Sequence, residues 1–299
     1  MVAPAFDYVA ARSYDEAVRL LAAGMRGEGE AGGAMILAGG QSLMPMLNLR
    51  LAHPDLLIDI NQADQRPPSV ADGVLRLPAL TRHRTLLEHD LVRRGCPLLA
   101  GAIRHVGNVR VRNRGTIGGS LAHADPTSEL GACALVTGAR VVIRGPDGER
   151  TVPTDELFDT YWTTTLAPGE VITDVLIPVT RPRQGWSFQE MVRRTSDFAI
   201  VAVAALVELD ERADTIAAAR VALAGVADRV TLAEPDLLAG LASHRHDNGD
   251  VDAAAGAIAD RLEPATDVHA SGEYRRRLAR VLVARALRQA CARATGETA

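Results

Sequence analysis

The chain has 299 residues, 47% of them hydrophobic and 23% charged, with a net charge of -4, which fits a globular protein with two or three cores. The acidic balance and an aromatic content of 3% argue against a nucleic-acid partner and against base-stacking surfaces. All 33 basic residues are arginine, so lysine Schiff-base chemistry and a P-loop lysine are excluded.

No basic segment followed by an apolar stretch precedes Asp7, so a signal peptide is not expected. Ser13 to Ala23 carries the S-x-x-E capping-box pattern, with Ala17, Leu20 and Leu21 on one helical face. A turn-rich loop is expected from Gly24 to Gly33. The apolar run Ala34 to Ala38 leads into the first of two glycine-paired loops, Ala38-Gly39-Gly40-Gln41-Ser42-Leu43. There Ser42 is expected as a helix N-cap, with Pro45 in the first turn, where its missing donor costs little.

Leu56 to Ile60 reads as a strand, Arg66-Pro67-Pro68 interrupts regular structure, and Val74 to Leu77 resumes it, which places a subdomain boundary near this point. Leu86 to Leu91 and Leu98 to Val106 read as helices. An arginine-rich segment containing Arg104, Arg110, Arg112 and Arg114 follows, either a solvated face or a device to neutralise phosphates or dock a partner. It runs into the second loop, Gly115-Thr116-Ile117-Gly118-Gly119-Ser120. Beyond that, Asp125 is expected to cap a helix that has Glu129 in its first turn.

Ala139 to Arg144 and Glu149 to Val152 form a hairpin across Pro146-Asp147-Gly148, and Val171 to Ile177 is a further strand. Pro178 to Gly185 is the clearest linker. After it, Trp186 to Val192, Ile200 to Leu209 and Ala217 to Val226 read as successive strands. Residues 234–259 are helical or irregular, and Tyr274 to Ala292 is a helix with its arginines outward. The apolar run Phe198 to Val207 is too short to cross a bilayer, no transmembrane segment is expected, and the cytoplasm is the expected location.

Adjacent glycines let backbone N–H groups approach a ligand anion, and a following helix start adds unpaired donors. Neither loop is a G-x-G-x-x-G fingerprint or a P-loop, so a phosphate-bearing cofactor would be held in another manner. His123, Asp125 and Ser120 do not have the spacing of a nucleophile elbow and read as loop hydrogen bonding. His244, His246 and Asp247 lie in a polar stretch ending Asn248-Gly249-Asp250 and read as an exposed loop rather than a metal cluster. Cys96, Cys133 and Cys291 lack close ligand spacing, so no iron–sulfur cluster is expected on this chain.

In these segments the chain resembles the FAD-binding middle subunit of the molybdenum hydroxylases, the family of aerobic carbon monoxide dehydrogenase and bacterial xanthine dehydrogenase. The matching stretches are Ala38 through Pro45, Leu57 through Ile60, Val111 through Ser120 closed by Ala124-Asp125-Pro126, Arg193 through Ala199, and His269 through Arg275. Two departures stand out: Ser196 where Gly is expected before Asp197-Phe198, and Pro78-Ala79-Leu80-Thr81 in place of Gly-Ala-x-Thr.

The resemblance implies an α+β fold. A two-part FAD-binding domain of the PCMH type covers 1–178, with a small α/β subdomain over 1–62 and a larger mixed-sheet subdomain over 63–178. A C-terminal domain over 186–292 carries a three-stranded antiparallel sheet and helices. It implies FAD held by Ala38, Gly39, Gly40, Gln41, Ser42, Leu43, Thr116, Ile117, Gly118, Gly119 and Ser120 around the diphosphate, with Asp125 near the ribityl chain and Phe198 near the isoalloxazine. No catalytic residue and no metal ligand is expected on this chain. A large molybdenum-binding subunit and a small subunit with two iron–sulfur clusters are the implied partners, assembled as a dimer of heterotrimers. Electrons would pass from the clusters through FAD to NAD, a quinone or a similar acceptor. The alternative is a stand-alone FAD-dependent oxidase or reductase with its own substrate pocket.

Overall fold

The computed structural model describes residues 3–24, 33–210, 215–241 and 248–296. Most of the turn-rich stretch expected between Gly24 and Gly33, and all of His244, His246 and Asp247, lie outside the described residues. Asn248-Gly249-Asp250, expected in a loop, instead opens the helix Asn248–Arg261.

The small N-terminal unit is a parallel sheet in which Leu56–Asp59 lies between Asp7–Ala10 and Ala34–Leu37. Parallel neighbours cannot be joined by a tight turn, so the chain must travel back across the sheet between them. The helix Tyr14–Gly24 belongs to the first such crossover and buries Ala17, Val18 and Leu21 near Ile58. Half of its expected capping box forms: the Ser13 hydroxyl accepts from the Glu16 amide at 3.1 Å, while the Glu16 carboxylate accepts from Arg12 N–H at 2.7 Å instead of from Ser13. Leu37 and Asp59 end level with each other, so the chain leaving each strand emerges at the same edge of the sheet.

The second sheet has the order Ser69–Ala71, Val74–Pro78, Val171–Pro178, Arg140–Gly145, Gly148–Pro153. The mixed sheet expected here is antiparallel in every pair. The reason is local: both outer pairs are hairpins, one turning at Asp72-Gly73 with both residues at positive φ, the other at the Asp147-Gly148 corner. The long strand Val171–Pro178 then enters between them.

One helix expected from Leu86 to Leu91 is two, His83–Glu88 and Asp90–Gly95, broken at His89. That residue is extended, and its ring accepts from the Leu91 amide at 3.2 Å. The arginine-rich segment is itself a short helix, Val109–Arg114, capped by the Asn108 side chain.

The three strands expected after the linker are Gln184–Met191, Val201–Leu209 and Ile216–Ala224, joined by a two-residue fourth strand, Thr231–Leu232. Side chains alternate along a strand, and here both faces are covered. Ala202, Ala204 and Leu206 pack into the core shared with the helices Pro97–Ile103 and Glu129–Thr137. Val201, Val203, Ala205 and Val207 pack toward the long helix Gly272–Thr295. A strand buried on both faces reads as an unbroken apolar run, which accounts for the stretch from Phe198 to Val207. The helix seats closely, since a Cβ on Gly185 would collide with the Ala290 carbonyl. Among the described residues, no helix is long and apolar enough to cross a membrane.

Candidate functional site

The strand Ala34–Leu37 delivers the first loop, which turns into the helix Leu43–Asn48. Gly40 has φ +71, in the left-handed region that a Cβ penalises. Gly39 meets a different demand. A Cβ there would collide with the Arg114 carbonyl oxygen and sit 2.8 Å from Gly115 Cα, so the two glycine loops touch backbone to backbone.

Each loop uses its amides differently. Met44 N–H donates to Gly40 O at 3.0 Å, but the N–H groups of Gly39, Gly40, Gln41, Ser42 and Leu43 have no acceptor among the described residues. Successive free amides in a turn form a concavity suited to an anion. Ser42 stands at the N-cap position with helical backbone angles and makes no capping hydrogen bond, so its expected capping role is not realised.

In the second loop, Thr116 caps the helix Ile117–His123 by accepting from Gly119 N–H at 3.2 Å. Ile117 N–H donates to Thr81 O at 3.2 Å, Gly118 N–H to Ala79 O at 2.9 Å and Ser120 N–H to Thr116 O at 3.0 Å. The unpaired donors expected at this helix start are therefore engaged within the protein. Gly118 is a packing glycine, because a Cβ on it would collide with Ala79.

Asp125 does not cap the next helix. Its carboxylate accepts from the Thr127 amide at 2.8 Å and the Thr127 hydroxyl at 2.6 Å, while Ser128, directly before Glu129, caps Gly131 at 3.0 Å.

The junction is held by residues the sequence did not single out. Asn61 leaves the strand edge beside Ala38 and donates to its carbonyl at 2.9 Å. Arg82 donates to Asn61 Oδ1 and to Arg114 O, each at 2.5 Å, tying both loops together. His83 N–H donates to Gly115 O at 3.0 Å, and its Nε2 lies 3.1 Å from the Ser120 hydroxyl. Arg82 and His83 directly follow the segment that departs from Gly-Ala-x-Thr, Asn61 lies just past the strand Leu56–Asp59, and no spacing in the sequence links them. Arg112 spends its guanidinium on Val106 O and Gly107 O, at 3.0 and 2.8 Å, closing a turn rather than facing a ligand.

The loops open on a cavity of about 600 Å³. Ala38, Gly39, Gly40, Gln41, Ser42, Leu43, Thr116, Gly119, Ser120, Asp125 and Phe198 all line it, whereas Ile117 is in the core and Gly118 is against Ala79. A second cavity of about 790 Å³ shares Gln41, Ser42, Asp125, Trp162 and Phe198 with the first. Phe198 is 77% exposed, so its ring stands at the cavity rim instead of filling the core. Ser196 has φ +73, the left-handed conformation that glycine adopts without strain. Trp162, on the shared wall, also has positive φ, +52, a conformation a bulky residue holds only under tertiary constraint.

Burial lowers the His83 pKa to about 4, and Arg82 and Arg112 add to that. Its contact with Ser120 does not make a nucleophile pair: Nδ1 has no carboxylate partner among the described residues, and such an imidazole is a poor base near neutrality. Burial also pushes Glu129, at the cavity wall, up to about 7, with Glu190 and Asp125 contributing.

A cleft at the carboxyl ends of parallel strands, with free amides at one place and an exposed aromatic at the rim, defines a site for a large phosphate-bearing cofactor. Residues 4–180 match the FAD-binding domain of molybdopterin dehydrogenases, and residues 186–290 match the C-terminal domain of the carbon monoxide dehydrogenase flavoprotein. The chain is 38% identical to the 6-hydroxypseudooxynicotine dehydrogenase complex subunit alpha of Paenarthrobacter nicotinovorans, covering 98% of this chain and 97% of that one. It is 36% identical to the carbon monoxide dehydrogenase medium chain of Hydrogenophaga pseudoflava, over 98% and 99% of the two chains. The solved carbon monoxide dehydrogenase of that organism superposes with a TM-score of 0.92 at 36% identity, covering 98% of this chain and 99% of that one. Quinoline 2-oxidoreductase from Pseudomonas putida 86 gives 0.90 at 34%, with the same coverage. The chain belongs to the family of FAD-binding subunits of molybdenum hydroxylases, a family of oxidoreductase components, and FAD is the cofactor of its first domain.

Proposed function

We propose that this chain is the electron-transfer subunit of a molybdenum hydroxylase complex, taking electrons from iron–sulfur clusters on a small partner subunit and passing them to an external acceptor such as NAD or a quinone. A large partner subunit holds the molybdenum cofactor and oxidises the substrate. The assembly is a dimer of heterotrimers in the cytoplasm, and residues 1–178 and 186–292 are its two working domains. The observation that carries this reading is a row of amides from Gly39 to Leu43, without acceptors among the described residues, in a loop lining a cavity that Phe198 also borders.

FAD, when bound, supplies the two-electron to one-electron conversion that such a chain needs. The protein's own residues bind and orient. The amides of Gly39 to Leu43 meet the diphosphate. The Thr116 and Ser120 hydroxyls and the small Gly119 shape the opposite wall, and Asp125 stands near the ribityl chain. Ile117 and Gly118 hold that wall in place from behind. Phe198 stands against the ring system and limits access of water to it. No residue acts as a nucleophile or general base.

The chain purified alone should be yellow and unable to oxidise a donor, and adding the two partner subunits should restore reduction of its flavin by substrate. A colourless chain that takes up no FAD would refute the reading. A yellow chain that oxidises a donor unaided would replace it with a stand-alone flavin oxidase or reductase.

A further inference from the structure

His83 is 2% exposed, yet it borders the cofactor cavity and touches a hydroxyl that faces it. Among the described residues its Nδ1 has no hydrogen-bond partner, and Nε2 lies 3.1 Å from Ser120 Oγ. A Thr116 backbone group faces the imidazole in the sense that favours protonation, which identifies it as the carbonyl, since only an acceptor stabilises a ring N–H. Ser120 N–H donates to that same carbonyl at 3.0 Å. One ring proton is available in the neutral imidazole, and Ser120 Oγ at Nε2 is the partner within hydrogen-bond distance of either ring nitrogen among the described residues.

We infer that His83 is a positioning residue: it donates from Nε2 to Ser120 Oγ and so frees the serine proton to point into the cavity, at an anionic oxygen of the bound cofactor. The inference rests on the reading of the cavity as the diphosphate site. Ser120 is needed because the neighbouring amides of Ile117, Gly118 and Gly119 are already engaged, leaving this face of the cavity few other donors. Without His83, Ser120 Oγ–H has the Thr116 carbonyl close by as a competing acceptor, and its proton would turn away from the ligand.

The test is a double-mutant cycle on the full-length chain stripped of flavin, titrated with FAD and followed by flavin fluorescence. S120A and H83L should each weaken binding roughly tenfold or more, as expected for a hydrogen bond to a charged group. The double variant should bind no more weakly than either single one. H83Q, whose side-chain amide can donate from nearly the same place, should stay close to wild type. Losses that multiply in the double variant, H83Q as weak as H83L at unchanged melting temperature, or S120A without effect would each overturn the proposal. If H83L does not fold, S120A in the H83Q background decides: a full loss there supports the relay, and no loss overturns it. A wild-type chain that takes up no FAD would refute the diphosphate site itself, whereas wild-type binding with multiplying losses refutes the relay alone.

Discussion

Replacing Gly39 with alanine is the sharpest probe of the site, because the added methyl meets backbone on the other loop and no side chain can rotate out of its way. The new Cβ would overlap the Arg114 carbonyl oxygen and lie 2.8 Å from Gly115 Cα, where ordinary contact begins at 3.4 Å. The loops must therefore part by more than about half an ångström, and overpacking of this kind costs roughly 1–3 kcal/mol. That shift also strains the Arg82 bonds to Asn61 and Arg114 O, each 2.5 Å long. If the strain falls on the FAD-competent arrangement, affinity drops by about fivefold to a hundredfold or more. Titrating FAD into the flavin-stripped chain by fluorescence quenching reads this directly, with circular dichroism as a control for folding. G39A with wild-type affinity and an unchanged melting curve would refute the contact between the loops.

Thr116→Val removes the hydroxyl that caps Gly119 N–H at a site 2% exposed, so thermal unfolding should show a loss of about 1–2 kcal/mol even without FAD. Phe198→Ala should leave the stability of the flavin-free chain within about 0.5 kcal/mol, since the ring is 77% exposed, but should alter the bound flavin's absorption bands and weaken its retention on gel filtration. Glu129 gives a pH signature. Its pKa is raised from 4.5 to about 7 by burial first, so the folded state favours the protonated acid, and the stability this contributes is present below pH 4.5 and lost as pH rises through 7. Glu129→Gln in the flavin-free chain should abolish that decline, worth roughly 3 kcal/mol at most, and denaturant midpoints that fall equally in both proteins between pH 5 and 8 would refute it.

Much of the architecture was legible because it is encoded in short-range pattern. Alternation and turn residues disclosed the hairpins, the S-x-x-E pattern disclosed the first helix, and the glycine pairs disclosed both loops. Other elements were misread where a single side chain shifts a boundary. His89 divides one expected helix into two by accepting from the Leu91 amide, and Ser128 rather than Asp125 caps the helix at Glu129, because Thr127 takes the Asp125 carboxylate while Ser128 reaches Gly131.

The primary structure by itself determined which stretches could present bare backbone to a ligand, since glycine takes φ +71 at Gly40 without the strain a Cβ brings and alone allows the close contact at Gly39. It also determined that Phe198 begins an apolar run, but not that the ring stands outside the two cores over which the following residues alternate. Tertiary structure alone decided which amides remain free. The Ile117 and Gly118 donors of the second loop are taken by Thr81 and Ala79, carbonyls remote in sequence, whereas the amides of Gly39 to Leu43 meet no acceptor among the described residues. It likewise brought Asn61, Arg82 and His83 between the loops. Hydrogen-bond satisfaction is a property of three-dimensional neighbours, and two loops with nearly the same letters diverge in role because one is packed against a carbonyl-bearing strand end and the other opens on a cavity.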